Sequence, residues 1–335
     1  MKQYGILLIG CGHIGSQHIA DIYYRDNIRV IAVIDSSIET AKIAAKKYNA
    51  QYFGTDYRSY LNDERVDIVI IATYASSHLQ ILKECLAAHK HVLCEKPIAT
   101  TPEDGKAFYE AVKASECKVL IAHILRHNRS YNKIRELIQS GVIGDLRVIR
   151  MVQNHHAMDW NRYKRLMEDC PPFVDCGVHY IDVMQWFSGA SIVEVSGFGT
   201  LIEADSPNMN YGLITAKLDN GCIGYYEAGW SKSMASQNLK EFIGDKGRIS
   251  LELKEHRSTH CEEGDLISLY HSDTGEYETI NLNSEYKDMY GQLSTLIDMI
   301  EKGTPANPTI DEVYSAFRVA MAAATAIREN RIIRL

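Results

Sequence analysis

The sequence predicts a two-domain α/β protein, with an N-terminal doubly wound parallel sheet followed by an α/β domain built on a large, mainly antiparallel open sheet. In residues 1–124, short apolar runs alternate with helical patterns, which is typical of βαβ units and a parallel sheet. The pattern changes near residue 125, and after the helix that carries residues 175 and 179 the chain becomes rich in strand patterns separated by turn signals such as Asp219-Asn220-Gly221. A length of 335 residues also favours two domains over one.

The elements of the first domain follow from apolar runs, because a strand buried on both faces is apolar throughout. We predict, in order, a strand at 6–9, a helix at 15–24, a strand at 29–34, a helix at 37–48, a strand at 68–72, a helix at 77–88, a strand at 91–94, a helix at 102–115 and a strand at 118–122. Pro102 supports the helix that it begins, since proline is well tolerated in a first turn.

The second domain is predicted to span residues 125–335. Its predicted elements are a helix at 131–140, a strand at 146–153, a helix carrying residues 175 and 179, strands at 193–201, 211–218, 222–229, 239–244, 248–253, 266–270 and 278–282, and helices at 286–302 and 310–329. An alternative left open is that the C-terminal helix packs back on the first domain.

Composition excludes several classes of function. The net charge of -7 and the lack of a basic cluster argue against a nucleic-acid surface, and no apolar run is long enough to span a membrane. The N-terminal apolar run breaks at Gly10 and continues into polar residues, so it reads as a buried strand and not as an export signal. We therefore expect a cytoplasmic protein whose eight scattered cysteines are thiols, with no metal site.

The segment GCGHIG, from Gly10 to Gly15, predicts a dinucleotide site of the Rossmann kind. It follows a predicted strand and opens a predicted helix, which is the context that gives G-x-G-x-x-G its meaning. Gly10 allows the tight turn, Gly12 lets the backbone approach a pyrophosphate, and Gly15 lets helix and strand pack closely. Asp35 ends the second strand, where a carboxylate accepts a ribose 2′-hydroxyl and repels a 2′-phosphate. NAD is therefore favoured over NADP, although Ser36 and Ser37 leave NADP open.

Two further segments carry polar side chains at positions suited to chemistry. CEKPIAT follows a buried strand, and ligands of doubly wound sheets bind at that edge, so Glu95 and Lys96 are candidates for the cleft. In VDCGVHYID, a helix would place Asp175 and His179 one turn apart on one face. Histidine is the residue type best suited to accept a hydroxyl proton near neutral pH. For both segments the simpler alternative is a surface ion pair.

These motifs, in this order, resemble the Gfo/Idh/MocA oxidoreductases, the relatives of glucose–fructose oxidoreductase and inositol dehydrogenase. The resemblance covers essentially the whole chain and rests on GCGHIG, ATYASSH (residues 72–78), CEKP and D-x-G-x-H-x-x-D. It implies nicotinamide-dependent hydride transfer on a sugar or cyclitol, with Lys96, Asp175 and His179 as catalytic residues. It also implies a homodimer or homotetramer formed through the C-terminal sheet. The further cofactor-binding residues that it implies are His13, Ile14, Ala72, Thr73, Tyr74, His78 and Glu95, with Lys96.

The sequence departs from the family pattern at two places that border the family's substrate pocket. RHNR, residues 126–129, stands where relatives often have Arg-Phe-x-Pro, and CPPFVDCG replaces a glycine-rich approach to the helix of His179. The usual substrates therefore cannot be assumed. The candidate substrate-binding residues are His123, Arg126, His155, Trp160, Arg162 and His179. For Asp182 we expect a structural role, such as a hydrogen bond to backbone.

Two functions of other classes stay open. One is a non-catalytic dinucleotide-binding regulator, against which the presence of Lys96, Asp175 and His179 argues. The other is a glycosidase that uses NAD in a transient oxidation, which would require the cofactor without releasing net NADH.

Overall fold

The computed structural model describes residues 2–253, 264–284 and 287–335, which form two compact units. Unit 1 contains Met1–Ile124 and Asp288–Tyr314, and unit 2 contains Leu125–Lys287 and Ser315–Leu335. Residues 125–335 are predicted from the sequence to form one domain, whereas the packing groups residues 288–314 with the first unit.

The described part of unit 1 holds a sheet of six parallel strands in the order β3-β2-β1-β4-β5-β6. The strands are β1 Tyr4–Ile9, β2 Ile28–Ile34, β3 Tyr52–Gly54, β4 Ile68–Ile71, β5 His91–Cys94 and β6 Val119–Ile121. The doubly wound parallel sheet predicted from the sequence is confirmed, and β3 is an addition to it. All six residues of β1 are buried, as expected for a central strand covered on both faces.

Five helices connect these strands within the described residues. They are α1 His13–Ile22, α2 Ile38–Tyr48, α3 Arg58–Leu61, α4 His78–Ala87 and α5 Pro102–Lys113. Local chemistry sets their ends: the Ser37 hydroxyl accepts the Thr40 amide at the start of α2, and the Thr101 hydroxyl accepts the Asp104 amide at the start of α5. Asn49 ends α2 in the left-handed conformation, which asparagine tolerates better than most residues.

Unit 2 is built on a sheet with the strand order β14-β13-β12-β11-β7-β10-β9-β8-β15 among the residues that are described. The strands are β7 Leu146–His156, β8 Ile192–Thr200, β9 Tyr211–Leu218, β10 Ile223–Ser231, β11 Gln237–Gly244, β12 Gly247–Glu252, β13 Asp265–His271, β14 Tyr277–Leu282 and β15 Ile333–Arg334. All neighbouring pairs are antiparallel except β7 and β10, so the prediction of a large, mainly antiparallel sheet is confirmed.

One face of this second sheet is covered by helices. The helices before β8 are α6 Arg129–Gln139, α7 Trp160–Asp169, α8 Pro172–Asp175 and α9 Gly177–Ser188. Along β9 the buried residues alternate with exposed or half-buried ones, which separates a helix-covered face from an open face. The open face carries large apolar side chains, with Phe198 73% and Ile223 52% exposed.

The last helices are α10 Met289–Lys302 and α11 Ile310–Glu329. The predicted start of α10 at Tyr286 lies outside the described residues; the helix begins at Met289, where the Asp288 carboxylate accepts the Gly291 amide at 2.6 Å. Leu293 and Leu296 of α10 belong to the hydrophobic core of unit 1. Among the described residues, no helix is both long enough and apolar enough to cross a membrane.

Candidate active site

The glycine loop between β1 and α1 has the geometry that its sequence requires. Gly10 has a φ of +93°, and a Cβ there would lie 2.4 Å from the carbonyl oxygen of Ala72. A Cβ on Gly15 would lie 1.9 Å from the carbonyl oxygen of Gly10, so α1 packs against the turn only with glycine at this position. A Cβ on Gly12 would meet no atom within 4 Å, so the backbone at Gly12 faces open space.

Asp35 anchors this loop. One carboxylate oxygen accepts the Cys11 amide at 2.9 Å, and the other accepts the Ser37 amide at 2.9 Å. The half-buried carboxylate therefore stands directly beside the glycine loop, at the carboxyl end of β2. Each of its oxygens keeps a second lone pair with which it can accept a ribose hydroxyl.

These residues fit a dinucleotide. The N-terminus of α1 has no side-chain cap, and helix N-termini with glycine approaches bind phosphate through backbone amides. The Gly12 backbone would face the pyrophosphate and Asp35 the ribose. The family resemblance also implies His13 and Ile14 as cofactor-binding residues. They begin α1, where His13 is exposed and Ile14 is half-buried.

Residues 72–78, the second segment that the family resemblance implies for cofactor binding, follow β4. Ala72 and Thr73 are half-buried, Tyr74 is 49% exposed, and the Thr73 hydroxyl contacts the Ser77 hydroxyl at 2.8 Å. His78 differs from these residues because its ring is fully buried and faces the carbonyl oxygens of Thr73 and Pro97.

Lys96 follows β5 in a loop that ends at the same sheet edge. The Glu95 amide extends the ladder by donating to the Ile71 carbonyl at 2.9 Å, and the Lys96–Pro97 peptide bond is cis. Lys96 is half-buried, and its amide faces the Glu95 carboxylate at 3.3 Å. The glycine loop, Asp35 and Lys96 are thus all at the carboxyl edge of one parallel sheet, where ligands of such sheets bind.

In unit 2, Asp175 and His179 lie one turn apart, as the sequence predicts. Asp175 ends α8, and His179 belongs to the first turn of α9. Both are half-buried, whereas the three residues between them are buried. Because the Cys176 amide donates to Pro172 and the His179 amide to Cys176, the helical path is nearly continuous and both side chains project from one accessible face.

The lack of a side chain at Gly177 makes room for Tyr226. A Cβ there would lie 2.5 Å from the Tyr226 hydroxyl, so this aromatic side chain of β10 fills the space. The same hydroxyl donates to the Phe173 carbonyl at 2.7 Å. Gly177 thus allows α9 to pack closely on the sheet. The Tyr226 hydroxyl holds the CPPF segment through the Phe173 carbonyl.

Arg126 and Asp182 form a buried ion pair. The guanidinium donates two hydrogen bonds to the carboxylate, at 2.8 and 2.7 Å, and both side chains are at most 3% exposed. The Arg126 guanidinium also lies over the Trp186 ring, 4.6 Å from its centroid. Asp182 has a structural role of the kind predicted, with Arg126 as a partner. These contacts give Arg126, the first residue of the RHNR segment, a role in packing. Asn128 of the same segment caps the N-terminus of α6.

The other candidate substrate-binding residues have varied surroundings. His123 is buried in unit 1. In unit 2, His155 is half-buried with its ring Nδ1 3.1 Å from the Tyr163 hydroxyl, close to the Trp230 ring. The Trp160 indole donates to the Asp205 carboxylate at 2.9 Å, and Arg162 is exposed. His155 thus lies half-buried beside two aromatic side chains, Tyr163 and Trp230.

Comparison with known families identifies the chain. Residues 4–123 match the model of the oxidoreductase family with an NAD-binding Rossmann fold, and residues 131–250 match the GFO/IDH/MocA C-terminal domain. The chain belongs to the Gfo/Idh/MocA oxidoreductase family. The resemblance noted from the sequence motifs is thereby confirmed, and the chain is an oxidoreductase with an NAD-binding Rossmann domain.

Individual members of the family resemble the whole chain. Myo-inositol 2-dehydrogenase of Thermotoga maritima is 22% identical over 333 residues, which is 98% of this chain and 97% of the relative. A solved scyllo-inositol dehydrogenase of Lactobacillus casei, with bound NAD(H) and scyllo-inositol, has a TM-score of 0.80 at 20% identity and 99% coverage of both chains. A putative NADPH-dependent oxidoreductase of Desulfitobacterium hafniense has a TM-score of 0.86 at 18% identity, covering 100% and 98%.

Sequence reasoning missed two buried polar residues near the candidate site residues. His18 lies on the stripe Gly15, His18, Ile19 and Ile22 of α1, which is buried at helical spacing. Lys240 lies on the same face of β11 as Phe242, which is buried too. A polar side chain on an apolar stripe was the available signal in both cases. Within the described ranges, no cluster of three His, Cys, Asp or Glu side chains could hold a metal ion.

Lys240 is 1% exposed and donates to the carbonyl oxygens of Val152 and Leu239, at 2.9 and 3.2 Å, and to the Asn238 side chain. Its ammonium also lies 4.8 Å from the centroid of the Tyr180 ring, on the helix that carries His179. Burial lowers the pKa of Lys240 to about 7, against a smaller opposing effect of Cys176.

This lowered pKa predicts a pH-dependent stability. Between pH 7 and 10.5 the unfolded chain holds a proton that folded Lys240 releases, so the free energy of unfolding rises with pH in this window. Relative to Lys240→Met, we expect wild-type stability to gain up to about 1.4 kcal/mol per pH unit above pH 7. Urea unfolding of both proteins at several pH values measures the difference. Parallel pH profiles would contradict the lowered pKa.

Proposed function

We propose that the chain transfers hydride between a nicotinamide dinucleotide and a secondary alcohol or ketone of a cyclitol, sugar or sugar derivative. The observation that carries the proposal is the half-buried Asp175 and His179 pair on one helical face, in a chain whose family is oxidoreductive. The inositol dehydrogenases among its relatives support a cyclitol or a similar polyol as the substrate.

Each proposed residue has a distinct task. The bound nicotinamide supplies the hydride acceptor, while His179 accepts the hydroxyl proton of the same CH–OH group, so the alcohol becomes a carbonyl. Asp175 hydrogen-bonds to the substrate hydroxyls or stabilises the imidazolium that His179 becomes. Lys96 donates a hydrogen bond to the reacting oxygen and so orients it. In the reverse direction His179 returns the proton to the alkoxide.

NADH formation with NAD and a panel of cyclitols, aldoses and sugar phosphates tests this proposal, with NADP in parallel and the carbonyl forms tested with NADH. Turnover of one polyol with net NADH release supports it. NADH binding without any turnover would instead favour a regulator. Cleavage of a glycoside that requires NAD but releases no NADH would favour a transient-oxidation glycosidase.

We infer that NAD is preferred over NADP because the Asp35 carboxylate stands beside the glycine loop. Asp35→Ala is expected to raise the ratio of kcat/KM for NADP to that for NAD about tenfold, since a like charge no longer repels the 2′-phosphate. Asp35→Asn is the matched variant, because it removes the charge and keeps an acceptor for the Cys11 amide. An unchanged ratio in both variants would remove Asp35 from cofactor selection.

We further propose that the open face of the second sheet joins copies of the chain into a homodimer or homotetramer. A depression of about 320 Å³ on this face is lined by residues including Val148, Ile223 and Tyr225, and exposed apolar area of this kind marks interfaces. Sedimentation velocity at micromolar concentration tests it, and a monomer would contradict it. That the chain works in the cytoplasm stays a prediction of the sequence.

A further inference from the structure

Lys96 lies in a loop that two fully buried histidines contact on either side. His18 comes from α1, the helix that opens with the glycine loop, and His78 is the first residue of α4. Both histidines are fully buried, with 0% of each residue exposed. Each binds a chain neighbour of Lys96: His18 binds the Glu95 carboxylate, and His78 lies against the Pro97 carbonyl.

Glu95, the residue before Lys96, contacts His18 through its carboxylate. His18 Nε2 lies 2.8 Å from Glu95 Oε1, and Glu95 Oε2 accepts the Lys96 amide at 3.3 Å. A carboxylate only accepts hydrogen bonds, so His18 donates from Nε2. The Glu95 side chain is 12% exposed, which limits competition from water. One carboxylate therefore connects helix α1 to the backbone of Lys96.

Pro97, the residue after Lys96, contacts His78 through its carbonyl oxygen. His78 Nδ1 lies 2.9 Å from the Pro97 oxygen, and its Nε2 lies 3.1 Å from the Thr73 oxygen. Thr73 follows β4 and Pro97 follows β5, which are neighbouring strands of the sheet. His78 thus connects the two loops at the strand ends. Because a carbonyl oxygen only accepts and a neutral imidazole has one N–H, neutral His78 donates to one of these two oxygens and packs against the other.

We propose that His18 and His78 are positioning residues for Lys96, fixing the peptide unit that precedes it and the Pro97 carbonyl that follows it. This inference rests on the proposed function, in which the Lys96 ammonium orients the reacting oxygen. Displacement of a catalytic group by about 1 Å can cost on the order of 10²-fold in rate. Losing the His18 contact removes one hydrogen bond that holds the Glu95 carboxylate, which in turn anchors the Lys96 amide.

The test compares His18→Leu, which cannot donate, with His18→Gln, whose side-chain amide can. We expect His18→Leu to lower kcat about 10- to 100-fold with NADH affinity unchanged, and His18→Gln to recover most of the loss. His91→Leu is the control, because His91 lies at the opposite end of β5 and its ring accepts the Lys118 amide. It is expected to lower thermal stability and leave kcat unchanged.

A second readout does not depend on turnover. The acetylation rate of Lys96 by acetic anhydride, measured by mass spectrometry against exposed Lys106 in the same chain, reports the surroundings of its ammonium. We expect this ratio to change in His18→Leu and to stay near the wild-type value in His18→Gln and His91→Leu. If wild type turns over no substrate, the proposed function fails while this ratio still decides the role of His18.

Two outcomes would overturn the inference. One is a folded His18→Leu protein with unchanged kcat and an unchanged Lys96 acetylation ratio. The other is a loss of NADH affinity as large as the loss of kcat, which would mean that His18 supports the glycine loop and not Lys96. Should His18→Leu fail to fold, Glu95→Gln replaces it, since it keeps the side-chain size and removes an acceptor for His18 or for the Lys96 amide.

Discussion

Replacing His179 with alanine is expected to lower kcat by a factor of about 10² to 10⁴, the usual contribution of a general base. His179 lies half-buried on the accessible face of α9, and no residue of the glycine loop belongs to unit 2. The loss should therefore fall on proton transfer, with NADH affinity nearly intact. Steady-state kinetics with the best polyol of the panel and NADH fluorescence titration measure the two effects separately.

The matched variants for this prediction are His179→Gln and His271→Gln. His179→Gln keeps a hydrogen-bonding side chain of similar length but cannot accept a proton, so it should be nearly as slow as the alanine variant. His271 lies on β13 in the same unit and pairs with Glu278 at 2.8 Å, away from α9, so its replacement should leave kcat unchanged. Retained turnover of His179→Ala across a wide pH range would mean that another group is the base.

The parts of the fold that could be predicted from sequence are those with a strong local pattern. Buried parallel strands are apolar throughout, and the glycine loop has a fixed spacing, so β1, β2 and α1 were recognisable. The strand β3 was missed because its three residues are exposed or half-buried and show no apolar run. Helix α7 was missed because it buries only Met167 and is otherwise polar, so its apolar stripe is too narrow to stand out.

The parts of the candidate site that could not be predicted depend on partners far apart in the chain. The spacing of Asp175 and His179 is local, and one helical turn suffices to place them on one face. The partner of His18 is 77 residues away, and the carbonyl that accepts from Lys240 is 88 residues away. Such pairs depend on which strands become neighbours in the sheet. The hydrophobic periodicity of one segment does not indicate which strands those are.

The pair Arg126 and Asp182, 56 residues apart, yields the largest stability effect that we predict. Removing one partner takes two short hydrogen bonds and a counter-charge away from a buried charged group, so Arg126→Met or Asp182→Leu alone should lower the free energy of unfolding by about 3 to 5 kcal/mol. The double variant places two apolar side chains together and should cost much less than the sum of the single changes. Urea unfolding of the four proteins gives the coupling energy; additive losses would contradict a direct pair.

The same double variant decides between the two roles considered for Arg126. If Arg126 acts only through Asp182, which lies one turn after His179 on α9, restoring the packing should restore the helix, and KM for the polyol should stay near the wild-type value. If Arg126 also binds substrate, as its place in RHNR first suggested, KM should rise although the fold is intact. Its 4% exposure and its two hydrogen bonds to the carboxylate make the first result the expected one.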